Sequence, residues 1–377
     1  MPTSGFDARI NATFSHYAYV PNPLPTEINF NQATYKKLSV ADRALGALEA
    51  QVQQLPNPRL IVQPSVFREA VSTSALEGTY APLSEVLEAQ YVEDRRQSAE
   101  VREVQNYVRA ANAGVDMIKT KPICVTLLQD LQKMIVKGTR GDGYDSGSLR
   151  QRQVCIGNQG DGIEEARFVP PPPGDLLIKG MSDWEAWINA DDEIPLLVKT
   201  ALGHYQFETL HPFSDGNGRL GRLVITLQLI AGGALTYPIL NLSPWFEPRR
   251  DRYIDHLLDT TITGNVEPWV SFFAEAVANR ASAASKTIKD LLAVRTEILQ
   301  MLKEDRAKGM ILDLAGDLIG YPRISVSQTA DLYDVSYPAA NAVITRLVGM
   351  GILREITGGT YGRIFACDRV FNVIAQA

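Results

Sequence analysis

The chain has few of the residues that hold most metal ions or a covalent scaffold. Of its 377 residues only four are histidine and three cysteine. Cys124, Cys155 and Cys367 lie far apart and form no C-x-x-C pair, which argues against a disulfide framework or a cysteine zinc site and predicts a reducing, cytoplasmic setting. His16, His204 and His256 lack metal-ligand spacing and read as packed or surface histidines. Positive charge is not in excess: a net charge of −6 removes any global pull towards nucleic acid or an anionic membrane. Long hydrophobic runs are missing too. The longest, Leu223 to Leu240, is broken by Thr226, Gln228, Gly232, Gly233 and Thr236, and predicts a buried core helix rather than a membrane span. There is no internal repeat and no segment polar enough to be disordered throughout. The first residues, MPTSGFDARINATF, lack the basic and apolar blocks of a secretory signal.

The length suits two or three domains, and the dominant periodicity is helical. Residues 1 to about 35 are rich in Pro, Asn and Thr and predict an extended arm on the surface. Leu38, Ala41, Leu45, Leu48 and Val52 predict a helix over Tyr35–Leu55, stopped by LPNPR. A second should run over Ser65–Glu77, closed by Gly78, and others near Leu83–Tyr91, Ala99–Ala113 and Val125–Val136. The segment VCIGNQGDGI followed by ARFVPPPP has β-favouring residues around a Gly-Asp-Gly turn and predicts a β-hairpin flap over about Val154–Val169 with a polyproline exit. Helical spacing resumes at Ser182 and continues to Leu210. Beyond Asn265, Val277, Ala281, Ile288, Leu292, Ile298 and Leu302 predict a long helical connector. From Ile324 a short helix, a turn at Val335 and Ser336, a helix to Met350 and two strands around GGTYG predict a winged helix. The expected fold is mainly α, divided into 1–100 (arm and first helices), 101–275 (core, with the flap) and 276–377 (connector and winged helix).

The densest chemistry lies in HPFSDGNGRLGR, from His211 to Arg222. Pro212 forces His211 out of the right-handed helical region, so the histidine stands at a helix exit. Gly216, Asn217 and Gly218 let several backbone N–H groups converge at the start of the next helix, a phosphate nest. Arg219 and Arg222, three apart, share a face of its first turn; cations there oppose the helix dipole and call for an anion. Asp215 would repel a phosphate unless a cation stood between them, which makes it a candidate Mg²⁺ ligand. His211 is the one uncharged base in the loop. Gly216 to Gly221 also satisfies G-x-G-x-x-G, but a helix precedes it and no acid follows at the required distance, so dinucleotide binding is rejected.

In this motif the chain resembles the Fic/Doc family, matching HPFx(D/E)GNGRxxR at His211, Pro212, Phe213, Asp215, Gly216, Asn217, Gly218, Arg219 and Arg222. The resemblance implies transfer of AMP from ATP, with Mg²⁺, to a Ser, Thr or Tyr hydroxyl of a target protein, the enzyme itself included. It assigns His211 as the base that deprotonates the acceptor and Asp215 as the metal ligand. The Gly216–Gly218 loop cradles the α- and β-phosphates, and Arg219 and Arg222 clamp the β- and γ-phosphates. Phe213 anchors the loop. Tyr253, in LSPWFEPRRDRYIDHL, is the implied base contact, although Arg249 stands where many relatives have Asn. The flap, at Cys155, Ile156 and Gly157, would pair with the target as an added strand.

TSALEG, Thr73 to Gly78, is the second informative segment. Glu77 sits at a helix C-terminus, where an anion opposes the dipole and needs a cation; a guanidinium is the natural fork, and Arg222 is otherwise unpaired without nucleotide. Thr73 and Glu77 are four apart and face the same way. The segment matches the family's (S/T)xxxE(G/N) inhibitory signature, which implies that Glu77 pairs with Arg222 and holds activity down. In the winged helix Arg346, Arg354, Arg363 and Arg369 are offset by Asp331, Asp334, Glu355 and Asp368, so protein contact or homodimerisation is favoured over DNA binding. The competing readings are a DNA-binding regulator that senses nucleotide, and an enzyme that removes AMP or transfers another phosphate-linked group.

Overall fold

The computed structural model describes the backbone of residues 2–7, 12–55, 57–91, 97–157, 162–358 and 362–376, with side chains from residue 16 onward. The arm opens as an antiparallel pair, β1 (Pro2–Asp7) and β2 (Ala12–Tyr17), rather than as extended chain throughout. Then follow α1 (Gln32–Gln53), α2 (Arg59–Leu76), α3 (Leu83–Glu88), α4 (Ala99–Met117) and α5 (Val125–Val136). Asn31 caps α1, its side chain accepting from Thr34 N, as an amphipathic helix start requires. Helix α2 begins six residues before the predicted Ser65, carries Pro64 inside it, and ends with Glu77 at its C-cap and Gly78 at φ +84°.

The helical stretch predicted from Ser182 to the motif is two helices, α6 (Asp175–Ile188) and α7 (Leu196–Leu210): the first ends at the polar segment 189–193, and Pro195 opens the second as its N-cap. Next comes α8 (Asn217–Ala231), where the apolar spacing over Leu220–Ile230 predicts a helix; it stops at Gly232 and Gly233, with Gly233 at φ +74°. In α7 every residue except Leu196 and Glu208 is buried, so this helix is the centre of the bundle and shows no polar face. Against it pack α6, α8 and the start of a later helix, and α2, α4 and α5 enclose α8.

After α9 (Ser243–Phe246) and α10 (Arg250–Thr263), α11 (Glu267–Glu304) runs 38 residues, so the 275/276 division drawn from the sequence falls inside it. Trp269, at its start, donates its indole N–H to Ala201 O in α7 at 2.7 Å. Its far half buries Ile288, Leu291, Ile298 and Leu302 among the C-terminal elements. Those are α12 (Met310–Asp317), β3 (Arg323–Ser325), α13 (Val326–Tyr333), α14 (Tyr337–Gly349), β4 (Arg354–Glu355), β5 (Ile364–Ala366) and α15 (Asp368–Ala375). The three strands form an antiparallel sheet in the order β3-β5-β4; the tip predicted at GGTYG includes residues outside those described.

The predicted flap is reduced to one antiparallel bridge, Ile156 with Phe168, held by N–H···O bonds of 2.8 and 3.0 Å; its turn at 158–161 lies outside the described residues. Four prolines and the 3₁₀ turn Ile163–Glu165 leave little chain free to extend the ladder.

The C-terminal unit meets α2 with no room to spare. A Cβ on Gly320 would stand 2.8 Å from Leu60 Cα and 2.9 Å from its carbonyl oxygen, whereas one on Gly349 in α14 meets nothing within 4 Å. Gly320→Ala is expected to lower stability in chemical denaturation by about 1–3 kcal/mol, with Gly349→Ala neutral or stabilising.

Candidate functional site

Helix α7 ends by turning its last residue into the left-handed region: His211 has φ 46° and ψ 61°, and its N–H bonds Phe207 O at 2.9 Å. Such a backbone is strained for a non-glycine residue and persists only where its surroundings hold it. Arg150, 1 % exposed, does so. Its Nε donates to His211 O at 2.8 Å, its Nη2 to Leu210 O and Pro171 O, and its own N–H to Pro212 O at 2.9 Å. No carboxylate pairs with it among the described residues; backbone carbonyls of the catalytic loop and the flap exit take its donors.

The loop is then closed by Asn217. Its side chain accepts from Phe213 N at 2.9 Å and donates to Phe213 O at 2.7 Å, while the Phe213 ring is fully buried. The Asn217 amide is therefore spent on loop geometry, and only its backbone N–H is left for a ligand. Gly216 at φ +83° is the N-cap of α8, so the N–H groups of Asn217, Gly218 and Arg219 start the helix without intrahelical partners.

Into this nest comes a carboxylate from 140 residues upstream. Glu77 Oε1 lies 2.6 Å from Arg222 Nη2, and a Cβ placed on Gly218 would be 2.1 Å from the same oxygen. Arg222 also donates Nε to Thr73 Oγ1 at 2.7 Å and Nη2 to Thr73 O at 3.1 Å. The predicted Thr73–Glu77–Arg222 cluster is thus assembled, with Arg222 2 % and Glu77 37 % exposed. Desolvation pushes the Glu77 carboxyl up, but the Arg222 guanidinium outweighs it and holds the group below the usual carboxylate range. Arg219 is engaged differently from expectation. It sits 2.7 Å from Glu103 and 2.8 Å from Asp215, so the candidate metal ligand and one predicted phosphate clamp hold each other in this state. Glu103, on α4, also accepts from Thr79 at 2.9 Å.

A cavity of about 830 Å³ opens over these groups, lined by Glu77, Glu208, His211, Gly218, Arg222 and Tyr253 among others. Ile156 and Phe168 of the flap bridge stand on its rim; Cys155 faces the small cluster of Ala18, Ile163 and Val169 instead. Gly157 lies beside them at the edge of the described flap. Arg167 pairs with Asp255 and ties the flap to α10. Tyr253 is 4 % exposed, stacks on Phe246 at 4.7 Å and shares a 2.7 Å hydrogen bond with His204 Nε2. Arg249 turns away to lie over Trp245; Arg250 takes the place at the cavity and donates to Leu76 O at 2.9 Å.

Burial lowers the His211 imidazole to about 4, Arg150 adding to the effect, so it is neutral throughout the physiological range. Its Nδ1 has no partner among the described residues. The opposite happens at Glu208. Burial, reinforced by the charge of Glu77 and opposed by Arg222, raises its carboxyl to about 8, and its Oε1 has no hydrogen bond.

Arg150, Glu103 and Glu208 escape a motif-centred reading. The first two come from distant segments with no local signal. Glu208 had one: it is the one carboxylate on α7, a helix buried on nearly every side, four residues after His204 and three before His211.

Residues 35–116 match the Fic/DOC family N-terminal region and 122–229 the Fic/DOC family itself, together about half of the chain. A protein adenylyltransferase Fic of Drosophila ananassae is 26% identical over 246 residues, covering 64% of this chain and 46% of that protein. One of Culex quinquefasciatus is 34% identical over 136 residues, 36% of this chain and 24% of that protein. The chain thus spans about half or less of the curated relatives it matches. Among solved structures, a Fic family protein from Desulfovibrio desulfuricans G20 superposes with TM-score 0.60 at 18% identity, over 91% of this chain and 98% of the other. Fic-1 (residues 134–508) from C. elegans gives 0.53 at 19%, covering 68% and 74%. At these identities the two structures establish the likeness of fold.

A carboxyl raised in the folded state contributes stability that is full below its unfolded value and is lost as pH rises through its folded one. Glu208→Gln is therefore expected to leave the unfolding midpoint near pH 5 little changed and to raise it at pH 8–9 relative to the parent. Parallel pH series of thermal unfolding check this, and equal slopes in the two proteins would contradict it.

Proposed function

Because the chain belongs to the Fic/DOC family, we propose that it is a protein adenylyltransferase held off by its own Glu77. One observation carries this reading: a neutral histidine, a glycine nest and a buried arginine face one cavity, and a carboxylate of the same chain stands in the nest. Nests at helix starts take phosphate. A triphosphate there brings its α-phosphorus beside His211. The acceptor hydroxyl oxygen then attacks the α-phosphorus, the bond to the bridging oxygen of the β-phosphate breaks, pyrophosphate leaves, and the imidazole takes the hydroxyl proton.

The residues present suit Mg²⁺. Asp215 offers a hard carboxylate oxygen beside the nest, the donor type Mg²⁺ takes together with phosphate and water oxygens. When bound, the ion would neutralise phosphate charge, and Asp215 would hold it by a carboxylate whose Oδ1 faces Arg219, itself also paired with Glu103.

Glu77 and a γ-phosphate are rivals for Arg222. While the carboxylate stays, the terminal phosphate is displaced and the α-phosphate is out of line. The flap rim at Ile156 and Phe168 supports docking of an extended target segment by strand addition. The C-terminal helix-turn-helix and sheet read as a winged helix serving protein contacts. In it Arg346, Arg354, Arg363 and Arg369 each pair with an acid, and Leu332 and Tyr337 are exposed.

Incubation with ATP labelled on the α-phosphate tests the reading. Glu77→Gly is expected to raise protein labelling roughly 10- to 100-fold, the worth of one charge-assisted contact, and His211→Ala in that background to abolish it. Unchanged labelling in Glu77→Gly, or label arriving only from the γ-phosphate, contradicts it. Since His211 stays neutral down to about pH 4, kcat/KM of Glu77→Gly should show no acidic limb due to histidine between pH 6 and 8; a limb near pH 6.5 would mean that the imidazole is not buried as described.

A further inference from the structure

A second, smaller cleft of about 420 Å³ lies on the other side of α2, between that helix, α11, α15 and the segment at Ile239–Asn241. Its walls are largely apolar, with Ile61, Pro64 and Ile288 among them, yet two guanidinium groups line it: Arg68 from α2 and Arg280 from α11. No acidic residue does. Among the described residues neither arginine has a carboxylate within ion-pair distance, and Arg68 Nε is buried with no hydrogen-bond partner. Arg280 Nε donates to Asn241 O at 2.8 Å. The nearest acid, Glu69, is committed elsewhere: both of its oxygens accept from Ser243, and burial pushes its carboxyl up.

Two like charges that are both half-buried, with the Arg68 Nε fully buried and no acid within ion-pair distance, are unfavourable unless something compensates them. Burial and the neighbouring Arg68 both press the Arg280 guanidinium below its usual range, although Glu69 works against them. Ser65, Asn241 and Thr287 add neutral polar groups around the pair. Planar guanidinium forks bind oxyanions bidentately.

We propose that this cleft binds a small phosphoryl oxyanion between Arg68 and Arg280. Such an anion joins α2 to α11 and α15 through charge where the chain itself supplies none. Arg68 is nine residues ahead of Glu77 on the same helix, so occupancy fastens the element that carries the inhibitory carboxylate.

The test titrates the full chain with inorganic phosphate, and separately with glycerol phosphate, at ionic strength held constant with sodium chloride. A saturable rise in the unfolding midpoint of about 1–2 °C is expected. It should be absent in Arg68→Gln and Arg280→Gln, and Arg68→Gln should lose no stability in phosphate-free buffer because its Nε has no partner to forfeit. Arg68→Lys, which keeps the charge but not the fork, should bind several-fold more weakly. Hydrogen exchange at the amides of Val66–Leu76 should slow with phosphate in the parent protein alone. A response to phosphate only, or to the ester as well, identifies the source as free ion or phosphomonoester. No midpoint shift in the parent, an equal shift in either glutamine variant, or unaltered exchange in α2 overturns the proposal.

Discussion

The organising constraint is the buried guanidinium of Arg222. It sits in the first turns of α8, where the helix dipole already repels it, and only 2 % of its side chain reaches solvent. A charge in that position must be neutralised by a partner in every state of the protein. Here Glu77 does so, and holds Arg222 above even its usual range. The surroundings follow from this need. Thr73 supplies two further acceptors, Gly218 has no side chain to obstruct the carboxylate, and Gly78 ends α2 so that Glu77 falls where the nest opens. The attraction that closes the site is the same one that would hold a terminal phosphate. On the proposed reading, inhibition and substrate binding would be two occupancies of one electrostatic vacancy.

A second buried arginine does the complementary work without any acid. Arg150 spreads its donors over carbonyls of Leu210, His211, Arg152 and Pro171, so it braces a left-handed residue that the helix exit would otherwise leave unsupported. Its charge also keeps the imidazole neutral, second only to burial. Geometry and protonation of His211 therefore share one cause. Glu208, packed against Gly221 with no hydrogen bond for Oε1, is driven towards its neutral form by burial even though Arg222 opposes the shift.

Much of this was legible in the sequence because it is local. The helices α1, α4 and α5 announce themselves by apolar spacing, and HPFSDGNGRLGR dictates a helix exit, a nest and a helix start within twelve residues. The pairing of Glu77 with Arg222 could be reached because each alone opposes a helix dipole. What escaped is long-range. Nothing near Glu103 signals that it will meet Arg219, and nothing in SLRQRQ marks Arg150 as the brace of a loop 60 residues away. Of the predicted flap, the described residues show the one pairing of Ile156 with Phe168, since the prolines and a 3₁₀ turn on its far strand interrupt regular pairing there. The split between α6 and α7 was missed because the apolar residues on either side were read as one pattern, although the polar segment 189–193 and Pro195 between them break the helix.

Helix α11 makes its own length a conserved quantity in the mechanical sense. One end is bolted by Trp269 to the carbonyl of Ala201, in the helix that delivers His211, and the other is sunk among α12 and α15. An α-helix turns about 100° and advances about 1.5 Å per residue. A single residue inserted near its middle would leave both halves able to fold, yet rotate one about the other by more than a quarter turn and unseat Gly320 from Leu60. The rod can therefore tolerate changes of composition along its exposed flank far more readily than any change of count.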